Sequence, residues 1–594
     1  MAHIHCGCFL RLVYWNARKS AYVGLPAGIP VDAIDACDSR ADRVLSQATT
    51  DADGCVHLRY EADEERRPDL YFRYRVPDDL PAAIDLDTGA LDAWGLPIPR
   101  EWATYSHYVL EDPTQPGYWP DHTGSGLGDP LRPYVFDVLE DVPKLRAGNT
   151  VEALIDGVDL LRRAEELIEA AEKSIHIEVM LYFNDPMGWR ITDRLLKKAR
   201  QGVEVRLMFD VRTTMDSYKL LALKRFWVGE LIHLSSEERD ARLARLQEEE
   251  DAERVRGDTT SIRETLSSVP NLQFIDTSFP YLEILPRPSS DAPPAYQELT
   301  ASLPFFTIAR IDHRKMLVVD GKVALIGGQN CGQEYLYETP FDPDRDVTEE
   351  DQPKWHDLAI AIRGPAVRDI QALFHERWGE EGGDAFDLGP RELGVGLDPL
   401  HPYFPRLDEV PGGAPVSIIN TTPGVRLHVR DEILGRLARA QRQILIEVAY
   451  FTNQDALAYL QMAAERGVRV VCIFTGEHSD SLDFLYAGRV QYRDLLRAGV
   501  EIYEYHHRMT HAKVVIVDDV SIVGSANINN ASFFSHYEID AVVPDAGFTA
   551  TLDERLFQED IRHSRRIQEQ DLDELMNINV VARIYVKGVV GPLF

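Results

Sequence analysis

The segment 311–330 reads IDHRKMLVVDGKVALIGGQN, and a close copy of it, THAKVVIVDDVSIVGSANIN, occupies residues 510–529. Each copy contains a His-x-Lys pair, an aspartate after a hydrophobic run and, further on, two small residues followed by x-Asn. The runs MLVVD and VVIVD are rich in β-branched side chains and predict buried strands. A duplicated pattern of this size predicts two similar α/β units in one chain.

The spacing of the basic residues predicts a shared pocket. Residues two apart on a strand point to the same face, so His313 and Lys315 would project together, as would His511 and Lys513. A single His-x-Lys pair on a strand is usually a surface pair. The duplication, together with the matching downstream residues, favours a functional pair in both copies.

Two small residues follow each strand, with Gly328 in the first copy and Ser525 in the second. Small side chains would let the backbone approach a ligand closely. If a helix begins at these points, its free N–H groups would favour an anion. A phosphate group fits this description best.

These residues resemble the phospholipase D superfamily, whose mark is this histidine, lysine and aspartate motif in two copies per active site. The likeness covers roughly residues 148–565. It implies two similar phospholipase D-type α/β lobes with pseudo-two-fold symmetry, each presenting its motif to a shared cleft. The second copy has one residue fewer between aspartate and glycine than the first, which indicates a deletion in the turn.

The resemblance also implies a two-histidine mechanism. We expect His313 to attack phosphorus as a neutral base, giving a phosphohistidine, and His511 to protonate the leaving alcohol and then activate the acceptor. The two rings must start in opposite protonation states, which suits an unperturbed pKa near 6.5. No metal or cofactor is required. Four side chains would hold the non-bridging phosphate oxygens: Lys315, Lys513, Asn330 and Asn527.

Each reacting histidine should have a carboxylate on its other ring nitrogen to set the tautomer. The family places such a group shortly after each motif, and the best matches are Asp357 in HDLAI and Glu538 in HYEIDAVV. For either one, a solvated carboxylate at a strand edge is an equally good interpretation. The resemblance implies that Asp320 and Asp518 support the turn backbone and do not touch phosphate.

Charge argues against a nucleic-acid substrate. The chain has 594 residues and a formal net charge of -34, with 97 acidic and 63 basic residues. An enzyme acting on nucleic acid would be expected to carry a basic face. Local charge can override the total, because Lys315, Lys513, Arg314 and Arg508 gather near the predicted site.

No stretch approaches the ~20 apolar residues of a membrane helix, and the first residues do not read as a secretory signal. We therefore expect peripheral contact with a phospholipid membrane surface, unlike membrane-embedded cardiolipin synthases. We expect synthesis in the cytoplasm, where Cys472 in the core would stay reduced. Export without a signal peptide is the alternative that the sequence leaves open.

The chain is expected to form three domains. Residues 1–140 alternate like strands and predict a small β-sandwich, faintly similar to transthyretin-like or immunoglobulin-like domains, that could bind a secretion-machine or protein partner. Residues 148–400 and 412–594 are the two lobes. Residues 81–131, rich in Pro, Gly and Asp, predict a long connection.

The first lobe contains an insertion, at about residues 212–307, that the second lobe lacks. It predicts an exposed acidic helix that begins near Ser235 and stops at Gly257. The Pro-rich piece after it is either a lid or a plain surface excursion. Two aromatic pairs, either lining a lipid cleft or packing in the core, are Phe305 with Phe306 and Phe533 with Phe534.

The favoured function is therefore hydrolysis or transfer of the phosphatidyl group of glycerophospholipids. The alternatives are a phosphatidyltransferase of cardiolipin-synthase type, a metal-independent nuclease, or an exported antibacterial lipase effector. A relative that has lost activity is a weaker alternative, because both histidines and both lysines are present.

Overall fold

The computed structural model describes residues 143, 145–217, 236–278, 311–338, 354–383, 403–423 except 406, and 426–576, together with the backbone of short strands between residues 3 and 104.

The N-terminal strands form three small sheets, and every pairing in them is antiparallel. Their order is β1–β6, β2–β3 and β5–β4–β7–β8. Whether these sheets face each other as a sandwich stays a prediction, and nearly all of 81–131 lies outside the described residues. The strands are β1 His3–Arg11, β2 Val13–Asn16, β3 Ala21–Gly24, β4 Pro30–Asp35, β5 Arg43–Thr49, β6 Cys55–Asp63, β7 Leu70–Tyr74 and β8 Ala103–Thr104.

The first motif lies in an α/β unit whose strands are joined by amphipathic helices. Its strands are β9 Arg146–Ile155, β10 Ser174–Val179, β11 Glu204–Phe209, β12 Leu272–Asp276, β13 Met316–Val319, β14 Val323–Gly327 and β15 Leu358–Arg363. Its helices are α1 Asp156–Ala170, α2 Pro186–Arg200, α3 Val211–Asp216, α4 Ser236–Gly257, α5 Thr260–Leu266 and α6 Val367–Glu380.

The second motif lies in a unit built the same way. Its strands are β16 Ala414–Thr422, β17 Arg426–Leu427, β18 Gln443–Val448, β19 Arg469–Thr475, β20 Glu501–Tyr505, β21 Lys513–Val517, β22 Val520–Gly524, β23 Glu538–Val543 and β24 Ser564–Ile567. Its helices are α7 His428–Arg439, α8 Gln454–Glu465, α9 Leu482–Arg489, α10 Tyr492–Ala498, α11 Ala546–Leu552, α12 Gln558–Arg562 and α13 Leu572–Leu575.

Both units contribute to one large sheet, which confirms the predicted α/β class. The strand order is β12–β11–β10–β13–β14–β15–β9–β16–β23–β22–β21–β18–β19–β20–β24, with β17 on β16. Read outward from the antiparallel β9–β16 pair, both halves follow the same topology. The three outer strands of the first half are parallel, and the motif strands form antiparallel hairpins beside them. That a two-fold axis relates the halves stays a prediction.

The alternation of side chains along the motif strands builds two different cores. On β13, Leu317 and Val319 pack against the helices of the first lobe, whereas Met316 and Val318 enter a core shared by both lobes. The same division holds on β21, where Val514 enters the shared core. Since this shared core contains residues of both halves of the sheet, it ties the two motifs together.

The predicted acidic insertion helix is present as α4 and ends at Gly257, while Ser235 and the Pro-rich piece lie outside the described residues. An added Cβ at Gly257 would lie 2.7 Å from the carbonyl oxygen of Thr214, so a small residue is needed there. Among the described helices, none has the length and apolar character needed to cross a bilayer.

Candidate active site

His313 lies just before β13 and is held by the second lobe. Its backbone N–H donates to the carbonyl of Tyr537, at 3.0 Å. Its Nδ1 lies 2.9 and 3.0 Å from the two carboxylate oxygens of Glu538, the first residue of β23. Glu538 is fully buried, and the His313 side chain is 10% exposed.

His511 lies just before β21 and is held by the first lobe in the same way. Its backbone N–H donates to the carbonyl of His356, at 2.6 Å, and its Nδ1 lies 2.9 Å from Oδ2 of Asp357. The hydroxyl of Tyr335 is 3.2 Å from the same nitrogen. Each histidine is therefore paired with the carboxylate that follows the other motif. The sequence identified both carboxylates but did not assign them to partners.

The two lysines are buried beside these rings. The ammonium group of Lys315 donates to the carbonyl of His313, and that of Lys513 donates to the carbonyl of His511. Burial lowers the pKa of Lys315 to about 7 and that of Lys513 to about 8, partly offset by Glu538 and Asp357. The charge of Lys513 also contributes to lowering the pKa of Lys315. Because each histidine pairs with a carboxylate of the other lobe, both motifs contribute to one site.

Burial and the neighbouring lysines favour the neutral form of both histidines in the free protein. Burial, followed by the charges of Lys315 and Lys513, holds the pKa of His313 and of His511 well below the usual range. Opposite protonation states were expected, and in the free protein both rings are shifted in the same direction. A bound phosphodiester is anionic and would raise the pKa of the ring beside it.

The two asparagines are oriented by the main chain. Oδ1 of Asn330 accepts from the N–H of Leu181 at 3.1 Å, and Oδ1 of Asn527 accepts from the N–H of Tyr450 at 3.3 Å. In both cases the oxygen is occupied by a backbone donor. The carboxamide NH2 group is then the end that can donate to a phosphate oxygen.

Gly328 and Ser525 have neighbours other than those expected. A Cβ on Gly328 would lie 2.3 Å from Oδ1 of Asp357, and the Ser525 hydroxyl donates to Oε2 of Glu538. Gly328 makes room for Asp357 and Ser525 holds Glu538, and contact of either residue with phosphate stays a prediction. A helix begins at neither position, because the next helical turns are at Gln333–Tyr335 and Ala531–Ser535.

Asp320 and Asp518 support turns, as the sequence suggested. Oδ1 of Asp320 accepts from the N–H groups of Lys173 and Ser174, and Asp518 likewise accepts from Arg442. Both aspartates have positive φ, 53° and 54°. Each therefore ties the motif hairpin to the start of the neighbouring strand.

Arg314 does not add free positive charge to the site. It lies 2.7 Å from Oε1 of Glu178 and 3.3 Å from Asp312. Arg508 is paired with Asp156 at 2.6 Å. Both arginines belong to buried ion-pair networks behind the histidines, so the expected gathering of basic groups reduces to the two lysines.

Sequence reasoning missed the rings that contact the histidines. His536 lies 5.6 Å from His313, and Trp355 lies 5.0 Å from His511, measured between ring centroids. Each stands two residues before a paired carboxylate, which is the one signal that could have found them. Phe533 and Phe534 prove to be core residues, while Phe305 and Phe306 lie outside the described residues.

Two groups of described residues have ligand atoms near enough to surround a metal ion. They are His313 with His536 and Glu538, and His356 with Glu447 and Asp560. In the first group, Nδ1 of His313 already pairs with the carboxylate. The chemistry of this site can be written with its protein groups alone.

Comparisons with known proteins agree with this geometry. The family described as "Cardiolipin synthase, PLD-like domain" matches residues 165–339 and 433–561. The probable cardiolipin synthase YwiE of Bacillus subtilis (strain 168) is 26% identical over 436 residues, which cover 73% of this chain and 70% of that protein. Cardiolipin synthase 1 of Bacillus anthracis is 25% identical over 449 residues, covering 74% and 72%.

In fold, the chain is similar to the crystal structure of phosphatidylserine synthase from Haemophilus influenzae Rd KW20, with a TM-score of 0.50 and 16% identity over 77% of this chain and 98% of that one. The family match spans both motifs and Glu538. The chain therefore belongs to the cardiolipin synthase, PLD-like domain family of the phospholipase D superfamily and is an enzyme of the phosphodiesterase/phosphatidyltransferase type.

Proposed function

We propose that this protein is a phosphatidyltransferase of cardiolipin-synthase type, which moves the phosphatidyl group of one glycerophospholipid to the alcohol of another. The observation that carries the proposal is the pair of buried imidazoles, each with a carboxylate from the opposite lobe and both beside the same two lysines. The relatives named cardiolipin synthases favour transfer over hydrolysis. This reverses the order of preference reached from sequence alone.

The first step is attack by His313. Because Nδ1 faces Glu538, the neutral ring keeps its proton there and directs the lone pair of Nε2 at phosphorus. A new N–P bond forms as the P–O bond to the leaving alcohol breaks, and His511 supplies the proton to that oxygen. The developing imidazolium of the phosphohistidine is stabilised by the buried Glu538 carboxylate.

The second step reverses the first with a new alcohol. His511, now neutral, takes the proton from the incoming hydroxyl group, whose oxygen attacks phosphorus and releases His313. Asp357 stabilises the imidazolium that forms on His511. Lys315 and Lys513 neutralise the non-bridging oxygens in both transition states. The scheme needs no external reagent other than the two alcohols.

Burial supports transfer over hydrolysis. The side chains of His313 and His511 are only 10% and 6% exposed. Few water molecules can then surround the phosphohistidine, and an alcohol that occupies the leaving-group site competes well for it.

The test is one set of incubations of purified protein with phosphatidylglycerol vesicles, with and without a primary alcohol and with chelator. We expect cardiolipin and glycerol in equal amounts, a phosphatidyl-alcohol when the primary alcohol is present, and no loss of rate with chelator. If phosphatidic acid were the sole lipid product, the assigned activity would be hydrolysis and not transfer. Cleavage of plasmid or single-stranded DNA in place of lipid would overturn the lipid assignment.

The proposed substrate would reach the protein at a membrane surface. A protein partner of the N-terminal domain, synthesis in the cytoplasm and export as an antibacterial effector all stay predictions.

A further inference from the structure

An apolar cavity lies directly beneath the first motif. It is enclosed by α1 and α2 on one side and by β10, β13 and β14 on the other, and its volume is about 100 Å³. Most of its walls are aliphatic, with Leu161, Ile168 and Ile191 among them. Lys315 and Asn330 also border the cavity, so it is continuous with the candidate active site.

Gln329, one of the residues that line the cavity, has a side-chain donor with no hydrogen-bond partner among the described residues. Gln329 stands between the two small residues and Asn330 of the first motif and is 7% exposed. Its Nε2 is buried and makes no hydrogen bond within the part of the chain that the structure describes. Leaving a buried amide donor unpaired costs free energy, so this group is suited to a ligand that brings an acceptor.

The second lobe lacks this donor, because Ala526 stands at the position that matches Gln329. The helix that borders the cavity, α1, also differs from its counterpart in the second lobe, α7. Ala171 follows α1 and Ala440 follows α7 at matching positions. Seven residues before them stand Ala164, which lines the cavity, and Ile433, which is therefore its counterpart in the second lobe. Ile433 is 1% exposed and packs in the core. The first lobe thus leaves open a space that the same fold fills elsewhere.

We infer that this cavity binds the first part of an acyl chain of the phospholipid substrate, with the NH2 group of Gln329 donating to the ester carbonyl. The inference rests on the proposed function and adds where the lipid lies. In a glycerophospholipid the ester carbonyl is a few bonds from the phosphate, and Gln329 is the chain neighbour of Asn330, the predicted phosphate donor. An apolar cavity of ~150 Å³ in another protein holds benzene, so a cavity of about 100 Å³ admits a few methylenes. The rest of the acyl chain would then have to lie outside the cavity.

The first test fills the cavity. Ala164→Ile reproduces the side chain of the second lobe, and Ala170→Ile, at the exposed end of the same helix, is the matched control. Monomeric dihexanoyl phosphatidylglycerol is compared with bis(4-nitrophenyl) phosphate, which has no acyl chain. Since each excluded methylene is worth roughly a factor of four, we expect kcat/KM for the lipid to fall about 10- to 50-fold in Ala164→Ile, with the nitrophenyl ester unaffected.

The second test removes the donor. Gln329→Ala should lower kcat/KM for the diester lipid about three- to tenfold and leave the diether analogue, which has no carbonyl, unchanged. The third uses the wild-type protein and a phosphatidylglycerol with a diazirine on its acyl chain. The labelled peptides should come from 156–200 or 316–331.

The outcomes separate the two ideas. If the wild type turns over no phospholipid but cleaves the nitrophenyl ester, the proposed function fails. If it turns over phospholipid while both Ala→Ile variants behave alike, or labelling falls on the second lobe, the acyl site is wrong and the proposed function stands.

Discussion

The crossed pairing of histidines and carboxylates makes a kinetic prediction that an uncrossed pairing would reverse. The perturbations are Glu538→Gln and Asp357→Asn, which keep the side-chain shape and remove the charge. Asp540→Asn is the control, because Asp540 is also buried on β23 and its Oδ1 accepts from the backbone N–H of Ala526, which an amide oxygen can still do.

The magnitude follows from the contacts of Glu538. Both its oxygens lie within 3.0 Å of Nδ1 of His313, and its side chain is fully buried. A charge-assisted hydrogen bond of this kind, lost just as the ring becomes cationic, is worth about 2–4 kcal/mol. Formation of the phosphohistidine should therefore slow roughly 30- to 1000-fold in Glu538→Gln.

The assay uses bis(4-nitrophenyl) phosphate, since nitrophenolate leaves without help from an acid. Asp357→Asn should still form the phosphoenzyme but resolve it slowly, because Asp357 supports His511. A nitrophenol burst of one equivalent, followed by slow turnover, is expected for Asp357→Asn and no burst for Glu538→Gln, with Asp540→Asn near wild type.

Peptide mapping then shows which histidine carries the phosphate. Phosphate on His313 together with a burst in Glu538→Gln would refute the crossed roles. Phosphate on His511 would instead exchange the two histidines in the mechanism and leave the pairing intact.

Three further substitutions test residues that hold or make room for buried carboxylates around the site. His356→Gln should lower the free energy of unfolding by about 3–5 kcal/mol in urea titrations, since it leaves buried carboxylates uncompensated. Because the pKa of His356 is raised in the folded state, this loss should be largest below pH 6.5 and shrink as the pH rises through the folded pKa; a loss that is constant with pH would contradict it. Ser525→Ala removes a hydrogen bond that lowers the pKa of Glu538, so the acidic limb of the kcat/KM profile should move to higher pH, and an unmoved limb would argue against this role. Gly328→Ala should displace Asp357 and cut kcat about 100-fold with an unchanged circular dichroism spectrum, whereas full activity would show that Asp357 can shift freely.

Local features of the site were predictable because they depend on near neighbours in sequence. The motif strands follow from β-branched runs, and the turn role of the two aspartates was implied by the family resemblance. The sequence left open whether a helix begins at the small residues, and in the first motif the chain runs on without helix to Gln333. Gly328 and Ser525 indicate only that some group comes close to the backbone, and in this structure that group is a carboxylate.

By itself, the sequence determined that two His-x-Lys strands exist, that each strand splits its side chains between two faces, and that a carboxylate follows each motif. Only the tertiary structure decided which carboxylate serves which histidine, and that Arg314 and Arg508 are neutralised by buried acids. The reason is physical. A strand's alternation is set by its own backbone, whereas the contact of His313 with Glu538 exists because the segment before β13 pairs with the one before β23 in a different half of the sheet.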